Sequence, residues 1–280
     1  KSKMPYQEKI IKTVMPAKKL KSILEKYLKP TDSIEVHTSL SAFGYIPGGE
    51  QSVVRVLKEV VNQGNIIMAA QTADIGDPID WEDPPATPEA RKEIMENMPA
   101  FDKETTPIHY IGKTPEYFRT SKDVKRSNHP LYSMCAWGKD ADKIARVRDS
   151  YDYPFGLNSP VADLYNLDGK VVMLGTDYES CTSLHLADST IGRPNLTEKA
   201  PIKGEDGKTK WITFKDVDDL DKYDDFNEFG SYFEEKYPDL VVKVPILKGY
   251  VRIIPVRPLI DEARKYYTKK DKEMAEKANK

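Results

Sequence analysis

Apolar residues recur along the chain with two different periods. Short runs rich in β-branched residues, bounded by Gly, Pro or polar turn residues, predict buried strands at 33–40 (SIEVHTSL), 64–72 (GNIIMAAQT) and 169–176 (GKVVMLGT). Between the first two, Val53, Val54, Leu57, Val60 and Val61 fall at helical spacing and Gly64 ends the run. Strand, helix, strand in that order implies a right-handed crossover and a parallel or mixed sheet with helices against it. An earlier helix is predicted over 16–28, with Leu20, Ile23, Leu24, Tyr27 and Leu28 on one face. In the second half, Leu220, Tyr223, Phe226, Phe229 and Phe233 recur in three- and four-residue steps among many carboxylates, an amphipathic helix with an acidic outer face. KVPILKGYVRIIPVRPLIDEARKYY then reads as a short strand and a last helix, and 268–280 as a frayed tail.

The connection 73–123 is too long for an ordinary loop, and structureless loops of that length are usually functional. It is rich in Pro, Asp and Glu, and Thr87-Pro88 followed by acidic residues predicts a short helix over 87–98. A solvated surface loop is the equal alternative. With no repeat and no break in composition, 280 residues read as one α/β domain.

Composition narrows the class. Hydrophobic residues make up 39% and charged residues 31%, with a formal net charge of −2. Neither a membrane-length apolar run nor a secretory leader pattern is visible, so a cytoplasmic protein is expected. Two cysteines, Cys135 and Cys181, form no CxxC pair and read as free buried thiols in a reducing compartment. Net charge and the lack of a basic, aromatic-interleaved stripe disfavour nucleic acid. GxGxxG, GxxxxGK[ST], HExxH and GxSxG are all absent, which leaves dinucleotide, P-loop, zinc-protease and serine-hydrolase readings without support and no metal expected.

One stretch carries chemistry. In CTSLHLAD, Thr182 or Ser183 can cap a helix whose first turn holds His185, and Asp188 follows at i+3 on the same face. A carboxylate there fixes an imidazole tautomer and raises its basicity, and free N–H groups at the helix start can stabilise an oxyanion. The HTSLSAFGYIPGG segment, with small hydroxyl residues and glycines after the first strand, suits a loop approaching a ligand.

Four segments in order, VHTSLSAFGYIPGG, the DWEDPPATPE to EYFRT stretch, KRSNHPLYSMCAWG and LDGKVVMLGTDYESCTSLHLAD, resemble the aminoglycoside N3-acetyltransferases of the antibiotic acetyltransferase family, which is distinct from the GCN5-related enzymes. The resemblance spans about 31–194, with weaker agreement through WITFKDVDD. It implies a three-layer α/β/α sandwich with a mixed, largely parallel central sheet and a long inserted loop region. It also implies acetyl transfer from acetyl-CoA to the 3-amino group of an aminoglycoside; a polycationic acceptor, direct transfer, since nothing marks Cys181 as activated, and a monomer or homodimer are expected with it. The family motif TSLHLAE places its histidine base on His185, with Thr182 and Asp188 as the other catalytic candidates. Ser39, Leu40, Ser41 and Gly44 match the segment lining the pantetheine arm, with Ser127 and His129 nearby. Asp74, Asp77, Asp188, Asp216 and Asp218 are the substrate-binding candidates, and Trp81 lines a sugar wall or pins its loop. Two departures stand out. Asp188 replaces Glu, moving the carboxylate by roughly 1.5 Å, and Ala69 stands where the family tends to have Pro. They motivate an alternative, the same mechanism on a different amine. A non-catalytic protein that binds coenzyme A or a polycation is the second alternative.

Overall fold

The computed structural model describes residues 8–218 and 225–280. Its strands are β1 (Ser33–Thr38), β2 (Asn65–Gln71), β3 (Lys125–Arg126), β4 (Tyr132–Gly138), β5 (Lys170–Leu174), β6 (Asn195–Lys203), β7 (Thr209–Val217), β8 (Val242–Pro245) and β9 (Tyr250–Pro255). Seven of them form one sheet in the order β3–β4–β2–β1–β5–β9–β8, and β6 and β7 pair separately as a hairpin. The centre is parallel: β1 pairs with β2 and with β5, Val36 standing opposite Val172. Toward both edges the pairing turns antiparallel, β4 on β2 and β9 on β5.

Side chains alternate across these strands, and the alternation builds two cores. Ile34, Val36, Ile66, Met68, Val172 and Leu174 pack on one face against α1 (Ala17–Glu25), α2 (Glu50–Val60) and α4 (Lys113–Arg119). Ile67, Ala69, Val171, Met173 and Ile254 pack on the other. That face is covered by α5 (Ala141–Ile144), α6 (Pro160–Asn166), α7 (Leu184–Asp188), α8 (Phe226–Lys236) and α9 (Val256–Ala278). The α/β/α sandwich is therefore realised. Each fully buried Leu, Ile or Phe in it contributes roughly 1.5–3 kcal/mol. Close approach explains Gly64 between α2 and β2: a Cβ there would sit 1.9 Å from the Asp32 carbonyl oxygen.

The connection 73–123 is not structureless. It holds two 3-10 turns, α3 (Pro88–Asn97) and α4, and Thr87 caps α3 by accepting the Ala90 N–H. Trp211 Nε1 donates to Met95 O and Thr209 Oγ1 to Met98 O, so the far end of α3 is fastened to the β6–β7 hairpin. The acidic amphipathic helix is α8, beginning at Phe226; Leu220 and Tyr223 lie outside the described residues. The short strand expected near the end is a hairpin, β8 on β9. The stretch expected to fray is helical as far as Ala278, its first turn held by Arg193 forking onto Asp271 (2.8 and 3.1 Å) and by Lys270 against Asp225.

Candidate active site

Loops at the carboxyl ends of β1 and β5 enclose a cleft of about 630 Å³, the place where open parallel sheets usually hold ligands. A 3-10 turn, Leu40–Phe43, ends β1, and Ser39, Leu40 and Ser41 line the cleft. Thr176 after β5, Thr182 and His185 at α7, and Tyr110 to Pro115 leading into α4 complete much of the wall. Gly44 has a structural task instead. Its φ is +81°, and a Cβ would stand 2.6 Å from Thr13 O.

His185 lies in α7 with Asp188 on the same face, as the spacing predicts, and Nδ1 meets Asp188 Oδ2 at 3.1 Å. Asp188 is 4% exposed, and Ser189 Oγ donates to its other oxygen. The imidazole stacks on Phe155 (5.4 Å between centroids, 19° between planes) and meets the edge of Phe226 at 5.0 Å. Packing and the carboxylate together leave the ring little freedom to rotate.

The expected cap is not formed. Ser183 is the N-cap residue, but its N–H and hydroxyl both donate to the carboxylate of Glu35, at 3.2 and 2.9 Å. The next N–H groups are taken as well, Leu184 by Cys181 O and His185 by Thr182 O. The helix start therefore offers no free donors from 183 to 185 for an oxyanion, which corrects the reading of that turn. The Thr182 hydroxyl, at the cleft wall, makes no hydrogen bond among the described residues.

Two acidic side chains of the β6–β7 hairpin lie near the imidazole. Burial and the neighbouring Glu198 push the half-buried Asp216 of β7 up from the ordinary carboxylate value of 3.8 to about 7, against the pull of the Val217 N–H. His185 and Asp188 are among the charges that act on it, so Asp216 shares the His185 region. Tyr132 OH donates to Glu198 at 2.8 Å. Asp218 follows two residues later, its N–H donating to Pro194 O.

The remaining candidates stand elsewhere. Both oxygens of Asp77 are engaged by Arg91 at 2.7 and 2.8 Å, which holds its carboxyl below the usual range; it is 5% exposed and does not line the cleft. Asp74 pairs with His109 Nδ1 at 2.9 Å beside Tyr110, a cleft residue that is 91% exposed. Trp81 is half-buried, and its Nε1 has no partner among the described residues. Ser127 accepts the Met134 N–H, so its hydroxyl serves the β3–β4 turn. His129 Nδ1 accepts from the Leu131 and Tyr132 N–H groups and Nε2 donates to Tyr151 O; burial holds the ring neutral, its pKa down to about 4. Neither lines the cleft.

Sequence reasoning missed Glu35, His37 and Glu198. Glu35 had a signal: a carboxylate between Ile34 and Val36 in a strand with no solvated face needs a partner.

Comparison with known proteins shows the family. The profile of the aminoglycoside 3-N-acetyltransferase family matches residues 36–268. The chain is 35% identical over 247 residues, 87% of its length and 89% of the relative's, to the SPbeta prophage-derived aminoglycoside N(3')-acetyltransferase-like protein YokD of Bacillus subtilis. The crystal structure of YokD superposes with a TM-score of 0.86 over 93% of this chain and 96% of that one. Aminoglycoside N(3)-acetyltransferase III of Pseudomonas aeruginosa is 31% identical over 80% of each chain. The sisomicin-bound structure of AAC-VIa gives a TM-score of 0.78 at 26% identity, over 92% of this chain and 99% of that one. The chain belongs to the aminoglycoside 3-N-acetyltransferase family of acyltransferases.

Proposed function

We propose that the protein transfers the acetyl group of acetyl-CoA to the 3-amino group of an aminoglycoside, with His185 as general base. The observation that carries this reading is the His185–Asp188 pair, whose imidazole lines the cleft while the buried carboxylate holds it from behind, with Asp216 among the charges near it. An amine resembling a lysine side chain is almost wholly protonated near neutral pH and must lose a proton to act as nucleophile. The amine reacts through its minor neutral form, and the His185 imidazole, held by Asp188 at Nδ1, takes the proton that the nitrogen loses on attack. Asp216 and Glu198 supply the negative potential that draws a polycation to the base. Asp74 and Asp218 extend that field at the periphery, and Asp77 contributes through the order it gives α3 rather than by touching the substrate.

The turn at Ser39–Ser41 is the side from which the pantetheine arm approaches. Attack on the thioester carbonyl forms a tetrahedral oxyanion, and the Thr182 hydroxyl is the donor placed to receive it. Transfer is direct. Burial pushes the thiols of both Cys135 and Cys181 up, so neither supplies a thiolate to carry the acetyl group.

Thiol release from acetyl-CoA against a panel of aminoglycosides, diamines and amino sugars tests the reading. Turnover is expected with aminoglycosides, with acetylation mapping to the 3-amino nitrogen. Asp188 in place of the family's Glu motivates the alternative acceptor, and turnover confined to another amine supports that instead. Coenzyme binding without turnover on any amine leaves a binding protein.

A further inference from the structure

The cleft contains a second histidine–carboxylate pair that the reaction above does not use. His37 and Glu35 stand two residues apart on β1 and so project from the same face of the strand. That face looks toward α7. Glu35 is 0% exposed, and His37 Nε2 lies 2.6 Å from its Oε1. The same carboxylate accepts the Ser183 N–H and hydroxyl, two residues ahead of His185. Among the described residues no lysine or arginine pairs with Glu35. An isolated buried carboxylate is expensive, and a proton held between Glu35 and His37 offsets that cost. The other ring nitrogen, Nδ1, makes no hydrogen bond among the described residues, and His37 lines the cleft beside Ser39–Ser41.

We infer that His37 is the general acid that protonates the departing coenzyme sulfur, while Glu35 positions it. The inference rests on the acetyl-CoA reading above. Once the ammonium has given its first proton to solvent, direct transfer requires two further proton movements, one from the neutral amine and one to the thiolate. The amine approaches from the side of Asp216 and His185, and the thioester arm from the Ser39–Ser41 side, where His37 lies. As the amine nitrogen bonds to the carbonyl carbon, His185 takes its proton. The carbon–sulfur bond then breaks with its electron pair on sulfur, and sulfur takes the Nδ1 proton of the His37 imidazolium. Neutral His37 keeps its Nε2 proton toward Glu35. Products are amide and thiol, and exchange with solvent restores both histidines.

The test is a series of acetyl donors whose thiols differ in acidity: acetyl-CoA, S-acetylpantetheine and an S-acetyl aryl thioester, each with the best acceptor of the amine panel. His37→Gln and His37→Asn are compared with the wild type by kcat/KM, and thermal melts establish that each variant is folded. With acetyl-CoA the variants are expected to lose about 10²-fold. With the aryl thioester, whose thiolate leaves without a proton, the loss should shrink to a few-fold. An equal loss with all donors assigns His37 a structural task and overturns the proposal, as does no loss at all. Should neither variant fold, the wild type decides: a shallow dependence on thiol acidity supports the acid, a steep one contradicts it. A wild type that releases no thiol with any donor and acceptor removes the acetyl-transfer reading itself, and this inference with it.

Discussion

Asp216→Asn isolates the energetic strain at the acidic pair of the β6–β7 hairpin. In the folded chain this carboxyl titrates at about 7 instead of 3.8, chiefly because burial penalises its charge. Its native pKa is raised, so between those values the folded state binds more protons than the unfolded state, and stability falls as pH rises through the window. At about 1.36 kcal/mol per pH unit, the gap from 3.8 to about 7 sets a ceiling of roughly 4 kcal/mol. The side chain is only half-buried, so solvent screening reduces this to on the order of 1–2 kcal/mol. Asparagine keeps an oxygen to accept the Val217 N–H and cannot ionise. The variant should match the wild type near pH 4 and exceed it by about 1–2 kcal/mol at pH 8. Urea unfolding at pH 4.5, 6 and 8 reads this directly. Groups whose carboxyls are held low, such as Glu116 and Glu262, move stability the other way but cancel between the two proteins. A difference that does not change with pH, or a variant less stable at pH 8, refutes the reasoning. The same substitution should raise KM for a polycationic acceptor, because the stored strain is relieved when a cation binds.

Asp163 is held by Arg146 and Arg148, each at 2.8 Å, and Arg148 is 8% exposed. Asp163→Ala leaves a buried guanidinium without its partner and should cost about 3–5 kcal/mol, read as a lowered urea midpoint with unchanged m. Cys135 and Cys181 are 1% and 0% exposed, with both thiols pushed up by burial. Neither should react with iodoacetamide at pH 8 until the chain unfolds, and mass spectrometry should find no acetyl-cysteine after incubation with acetyl-CoA. Rapid native alkylation of Cys181 would reopen a covalent route.

The parts of the fold legible in the sequence are those written in strong local patterns. β1, β2 and β5 were visible as apolar runs, and α2 by its valines. α3 announced itself through Thr87-Pro88, whose hydroxyl does cap it. Long-range pairing was not legible. The β6–β7 hairpin alternates with exposed charged residues, and β4 is a short run of small and mixed residues (YSMCAWG) with no clear period, so periodicity alone does not raise either above loop. β1 ends two residues early because Leu40–Phe43 tightens into a 3-10 turn. At the site, His185 with Asp188 followed from i, i+3 spacing and the family motif. Ser183 as a cap did not: its hydroxyl and N–H both donate to a tertiary partner, Glu35, and no helix N–H donates to the hydroxyl. His129 resembled a ligand-binding residue in its motif, yet both its nitrogens are spent on backbone groups. That distinction depends on where 151 and 132 lie in space.

The central claim is that His185, oriented by Asp188, removes the proton from the acceptor amine. Thiol release from acetyl-CoA with a saturating aminoglycoside, measured for wild type and His185→Ala, tests it most directly. A fall in kcat of about 10²-fold or more, with coenzyme affinity retained, is the predicted result. Turnover that survives the substitution would keep the enzyme and remove His185 from its centre.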